Sequence, residues 1–202
     1  TQDKTGKVWF GTSNKGIVGY EGPLTSHKIS ALENTPDGSI WVGSKQNGLT
    51  RIKDGETKFY TVARDSGHTI IDDHINALCA DKTGSLWIAT NGGLQVYNPR
   101  MNTFSTYTKE NGKLTSNNIT SLFYGHNNNL LVGTNEGLMI LNLSTTEKTM
   151  LTGNSTNLKT FTNDYITNVI QDSRGLIWVG TREGVNVLDL TTDSLNYITE
   201  SE

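Results

Sequence analysis

The chain is short of cysteine, proline, charge and long apolar runs: one Cys and three Pro in 202 residues, with only 18% charged side chains. Each shortage excludes something. The single thiol, Cys79, can form no intrachain disulfide, and within the apolar run INALCA it reads as a small buried side chain rather than a reactive one. No run approaches the eighteen or so apolar residues that a membrane-spanning helix needs. The opening TQDKTGKVW has no charged segment leading into an apolar one, so it carries no visible address; a trimmed or excised piece would look the same, and this does not argue for the cytoplasm. The formal net charge of -3 comes without any block of like charges, which removes the electrostatic footprint of a nucleic-acid or anionic-membrane binder.

Apolar residues make up only 34% of the chain, and Gly, Asn, Ser and Thr fill the difference. That balance suits many short strands joined by turns. The length allows one large domain or two small ones, and a single fold unit is the simpler expectation.

What is present is a repeat. The phrase GSLWIATNGGLQVY at 84–97 has an apolar run with a Trp, a turn at Asn91-Gly92-Gly93 and a second alternating run, the pattern of a β-hairpin. Related phrases start at Gly6, Gly38, Asn128 and Gly175, with Trp9, Trp41, Trp87, Leu131 and Trp178 as fixed points spaced by 32, 46, 44 and 47 residues. An apolar segment precedes the last four (ISALEN, INALCA, ITSLFY, ITNVIQ), and a weaker one follows (TKFYTV, NTFSTYT, KTMLTG, LNYITE). Four strands per unit at a period in the middle forties is the signature of a propeller blade.

Turn chemistry supports the count. DKTGK, DKTGS and DSRGL place Asp3, Asp81 and Asp172 three residues before a Gly, where an Asp can accept backbone N–H groups and the Gly can take positive φ. Thr35 and Gly125 replace that Asp in the other two copies, which makes it a preferred device and not an indispensable ligand. The Gly after the Trp, at Gly11, Gly43, Gly133 and Gly180 with Ala89 as the odd copy, is expected to let a Trp ring of the adjacent blade pack closely. The Trp series is then core rather than a sugar-stacking platform.

The first repeat is truncated: it has no inner strand before Asp3 and no room for a fourth strand before Ile29. The expected fold is therefore an all-β β-propeller segment spanning 1–202, with a partial blade at 1–28 and whole ones at about 29–61, 75–109, 119–153 and 166–199. An open arc would leave apolar blade faces in water, so further blades or a second copy of the chain are expected to cover them.

The phrase ITNVIQDSRGLIWVGTREGVNVLDL, and its copies at Ile29, Ile75 and Ile119, resembles the two-component regulator propeller repeat through D-x-x-G, [ILV]-W-[VI]-G-T and x-x-G-[LV]. The resemblance covers nearly the whole chain; Ala89, Leu131 and the truncated first repeat depart from it. It implies the periplasmic sensor region of a hybrid two-component system of glycan-degrading gut bacteria, built of seven-bladed propellers and joined to an immunoglobulin-like domain, a membrane span, a histidine kinase, a receiver and often a DNA-binding regulator. The chain has no kinase His motif, nucleotide-binding Gly box or recognition helix, so the expectation is that this segment is not an enzyme and uses no cofactor.

In a propeller, the turns between second and third strands share a face with the connections between blades. That face gathers Lys45, Gln46, Asn91, Asn135 and Arg182 from the turns, with His74, Asn118 and Tyr165 from the connections. An amide-rich ring of this kind suits an oligosaccharide, an acidic one through Lys45 and Arg182. The expected partners are such a ligand and further blades or a second copy, with no nucleic acid and no membrane contact.

Three rivals remain. A propeller glycosidase would need paired carboxylates, or a Tyr with clustered Arg, at one mouth; here Arg51, Arg64, Arg100, Arg174 and Arg182 occupy different repeat positions, and the Asp-to-Gly spacing differs from a sialidase Asp box. A propeller lyase would need a cation site, for which GHTIIDDH offers His68, Asp72, Asp73 and His74 without a compact metal spacing; a solvated loop is expected there. A scaffold that only dimerises is the third. TNGG and TREG are not phosphate cradles, since no helix follows either.

Overall fold

The computed structural model describes residues 1–3, 9–12, 16–18, 28–62, 69–153 and 161–198. His68 and Arg64, and most of the truncated first repeat, lie outside them. The fold is all-β, and its main elements are four four-stranded antiparallel sheets, each a meander in chain order, as blades require. The first holds β3 (Ile29–Asn34), β4 (Ile40–Ser44), β5 (Leu49–Lys53) and β6 (Glu56–Tyr60); the second holds β7 (Ile75–Ala80), β8 (Leu86–Thr90), β9 (Leu94–Asn98) and β10 (Thr103–Tyr107). The third holds β11 (Ile119–Tyr124), β12 (Asn129–Thr134), β13 (Gly137–Asn142) and β14 (Lys148–Leu151); the fourth holds β15 (Ile166–Gln171), β16 (Ile177–Thr181), β17 (Gly184–Asp189) and β18 (Ser194–Ile198). Before them a two-residue ladder joins β1 (Phe10–Gly11) to β2 (Ile17–Val18).

The chain divides into two compact units, Thr1–Asn117 and Asn118–Glu202, each with two of these sheets. In the first unit, Trp41, Leu49 and Tyr60 of one sheet bury against Ile75, Leu78, Leu86, Ile88 and Tyr97 of the next. In the second, Leu131, Leu138, Ile140 and Leu151 meet Ile166, Val169, Ile177, Val179, Leu188 and Leu195. β4 and β8 are buried at every residue and apolar up to a closing Ser or Thr because both of their faces are covered.

The expected packing of a neighbour's Trp on each glycine is corrected. A Cβ on Gly43 would lie 2.6 Å from Cγ2 of Ile75, and one on Gly133 would lie 2.7 Å from Cγ2 of Ile166. Gly11 stands in the same relation to Ile29. The filler is the first residue of the next inner strand. Side chains alternate along a strand, so Trp41 and Gly43 share one face, and the ring contacts the next sheet elsewhere, with its centroid 5.0 Å from that of Tyr97.

Every inner strand also carries a bulge after its first residue, at Ser30, Asn76, Thr120 and Thr167. The extra residue turns its side chain out of the ladder. Ser30 Oγ donates to the carbonyl of Ile75 at 2.6 Å, and Thr120 Oγ1 donates to that of Ile166 at 2.7 Å. The isoleucine that fills the glycine notch is thus also held by its backbone.

Candidate functional site

The turns between second and third strands are built on a hydroxyl that closes the strand. Ser44, Thr90, Thr134 and Thr181 each donate to the carbonyl of the turn glycine (Gly48, Gly93, Gly137, Gly184) at 2.8–3.2 Å. Each also accepts a backbone N–H from the turn itself, of Asn47, Gly92, Glu136 and Glu183. The turn is held from behind, and the residues at its tip are left to face solvent. Gln46, Asn91 and Arg182 are exposed, while Lys45 and Asn135 are half-buried.

The connections entering the second and fourth sheets are held by buried amides. Gln95, 1% exposed, accepts from the N–H of Ile71 and donates to the carbonyl of Thr69 and to Thr106 Oγ1. Asn186, fully buried at the equivalent place in the fourth sheet, accepts from the N–H of Thr162 and donates to its hydroxyl. A buried amide with all its polar atoms engaged fixes one backbone path. Neither residue stood out in the sequence, although both follow a turn Gly by two.

In the first unit, two of the expected site residues, Lys45 and Asn91, come together through one that the sequence does not mark, Asn76. Lys45 Nζ donates to Asn76 Oδ1 at 2.8 Å, and Asn76 Nδ2 donates to Asn91 Oδ1 at 2.9 Å. Asn76 is the bulge residue, which is why it reaches both turns; a bulge leaves no mark in a period-two pattern. Burial pushes the Lys45 ammonium down from the ordinary lysine value. His74 stands half-buried at the end of the connection, its N–H accepted by Asp72 Oδ1 at 2.8 Å. Asp73 Oδ1 accepts the N–H of Val62 at 2.8 Å. The two carboxylates of this loop therefore cap backbone amides, and among the described residues no three His, Cys, Asp or Glu side chains gather as a metal site would require.

In the second unit, the Arg182 guanidinium lies over the Tyr165 ring at 3.7 Å from its centroid, a stacked cation–π pair. Beside it Asn163 Nδ2 donates to Glu183 Oε1 at 3.0 Å, and Asn163 Oδ1 accepts the N–H of Tyr165. Asn118 and Asn135, both expected at the site, meet through a long 3.4 Å bond from the Asn135 N–H to the Asn118 carbonyl. The first unit thus offers an ammonium and amides, and the second a guanidinium stacked on an aromatic ring.

The opposite ends of the sheets carry the Asp turns, and there the carboxylates are structural. Asp81 accepts N–H groups of Thr83 and Ser85 and, at 3.1 Å, the indole N–H of Trp87. Asp172 does the same for Arg174, Leu176 and Trp178. The Arg174 guanidinium 2.7 Å away, outweighing some desolvation, brings the Asp172 carboxyl down to about 2.

Comparison with known proteins bears on this geometry. The family model described as "Two component regulator propeller" matches residues 69–92 and 160–183, each a stretch running from the amide-held connection through the inner and Trp strands to the turn. No curated protein sequence matches the chain. Among solved structures, the extracellular domain of the putative hybrid two-component system BT3049 from B. thetaiotaomicron aligns with a TM-score of 0.80 at 19% identity, covering 98% of this chain and 29% of that one. The extracellular domain of BT4673 from the same organism aligns with a TM-score of 0.69 at 16% identity, covering 98% and 36%. This chain spans well under half the length of either.

Virginiamycin B lyase from Staphylococcus aureus aligns as well, with a TM-score of 0.69 at 14% identity over 100% of this chain and 69% of that one. This overturns the expectation that the segment is not an enzyme. The missing kinase and nucleotide motifs, the scattered arginines and the lack of a compact metal spacing do not exclude catalysis, because a fold of comparable similarity is that of a lyase.

Proposed function

We propose that the chain is a ligand-recognising segment of the extracytoplasmic sensor of a hybrid two-component receptor, periplasmic and responsive to an oligosaccharide. The carrying observation is the double match to the two-component regulator propeller model at 69–92 and 160–183. The fold shared with two extracellular domains of such systems supports it. In this reading the 202 residues form one propeller segment with blades at about 29–61, 75–109, 119–153 and 166–199 after a partial one at 1–28, and further blades or a second copy complete it. Lys45, Gln46, His74, Asn91, Asn118, Asn135, Tyr165 and Arg182 face the ligand.

The loop chemistry fits a sugar. Amides and charged groups held by backbone and hydroxyl anchors match hydroxyl-rich ligands, and the Arg182–Tyr165 stack offers an apolar ring edge with a charged head. Titration calorimetry of the chain against neutral and acidic oligosaccharides tests this reading. Saturable heat with at least one of them is expected, and no heat with any of them defeats the glycan assignment.

The lyase fold supports a second reading, in which the chain acts on virginiamycin B, as the S. aureus protein's name says of that protein. Incubation with virginiamycin B followed by chromatography decides it, since lyase activity would accumulate a product that elutes apart from the starting compound. Unchanged antibiotic would remove this reading for that substrate.

A further inference from the structure

The hydrogen bonds among Lys45, Asn76 and Asn91 have a forced direction. An ammonium can only donate, so the Asn76 atom 2.8 Å from Lys45 Nζ is its carbonyl oxygen. Its NH2 then points the other way, and the atom it meets 2.9 Å away must be the Asn91 oxygen. Both amide oxygens therefore accept a bond inside the relay. The donors left at its two ends are two further hydrogens on Lys45 Nζ and the NH2 of the exposed Asn91.

The charge is also unanswered. Lys45 is half-buried, yet among the described residues no carboxylate lies within ion-pair distance of it; the ion pairs there are Arg51 and Lys53 with Asp37, and Arg174 with Asp172. Asp72 and Asp73 of the connection each accept a backbone N–H through one oxygen, and neither forms an ion pair with Lys45. A partly desolvated cation without a counter-charge, next to an outward amide donor, is a place for an anionic oxygen group.

We propose that this relay is a subsite for the anionic group, carboxylate or sulfate, of an acidic sugar. It rests on the reading that the chain binds oligosaccharides and narrows it to acidic ones, recognised in the first unit. Lys45 supplies the charge, Asn91 a neutral donor, and Asn76 holds both in place from the bulge. Neutral sugars lose the charged contact and leave the ammonium without its partner.

The test is calorimetry of the full chain with trigalacturonate, a sulfated disaccharide and a neutral trisaccharide, before and after Lys45→Met. The acidic ligand is expected to bind about tenfold or more tightly than the neutral one, the preference falling with salt and vanishing in Lys45→Met. Whichever acidic arm binds distinguishes carboxylate from sulfate. Lys82→Met, an equal charge change in the turn at the other end of the second sheet, should leave the preference intact. Asn91→Asp, at an exposed position that spares the fold, should abolish it by presenting an acceptor. Equal affinity for neutral and acidic sugars, or a preference that survives Lys45→Met, overturns the subsite and leaves the glycan reading standing. No binding of any sugar overturns both.

Discussion

The indole N–H of Trp87 donates to the carboxylate of Asp81, six residues earlier, at 3.1 Å. The same bond joins Trp9 to Asp3 at 2.8 Å and Trp178 to Asp172 at 3.1 Å. One side chain thus closes a turn and satisfies the polar atom of the largest core residue. In the first sheet the two tasks are split: Trp41 donates to the Thr35 hydroxyl, which in turn donates to Asp37, and Asp37 closes the turn by accepting the Ser39 N–H. In the third sheet Leu131 has no side-chain N–H to satisfy, and Gly125 stands where the acceptor would be.

Asp81→Ala leaves the buried indole donor and two turn amides without acceptors. A loss of about 2–3 kcal/mol in urea denaturation is expected, with a smaller loss for Asp81→Asn. An unchanged midpoint would show that water replaces the carboxylate.

Acid should weaken the fourth sheet through Asp172. Its carboxyl is brought below its ordinary 3.8 to about 2, so the ionised group favours the folded state at neutral pH, and that contribution fades as pH falls from about 4 through 2. A carboxyl titration followed by NMR should place its midpoint well below that of an exposed Asp, and Asp172→Asn should flatten the stability profile over that window.

Gly43→Ala should destabilise the first unit by about 1–3 kcal/mol, because the new methyl meets the branched Ile75 side chain. Combining it with Ile75→Leu, which moves the branch outward, should cost less than the sum of the two single changes. Thermal melts of all four proteins check the coupling.

Gln95→Leu removes the amide that pins the connection at Thr69 and Ile71. Faster hydrogen exchange at the Ile71 N–H is expected, with about 2–3 kcal/mol lost. The Lys45–Asn76–Asn91 relay should persist, since its own bonds do not pass through Gln95.

Much of this architecture was legible in the residues. Alternation around each Trp marks the hairpins, and D-x-x-G marks the turns, because both rest on local backbone rules. The Trp–Asp bond also left a trace, a constant spacing of six, and Gly125 and Leu131 depart from it together; the turn role alone had been assigned to the Asp. The partners of Gly11, Gly43 and Gly133 lie one repeat away, and no local pattern says which neighbouring side chain arrives there. Asn76 was invisible as a site residue for a similar reason. Its side chain reaches the turns only because a bulge shifts the ladder.

The hydroxyls of Ser44, Thr90, Thr134 and Thr181 have a consequence for how such a surface diversifies. Since they anchor each turn without using its tip, residues 46, 91, 135–136 and 182–183 can be exchanged with little cost to the scaffold. A new specificity can then be written one repeat at a time, like changing the type in a fixed frame.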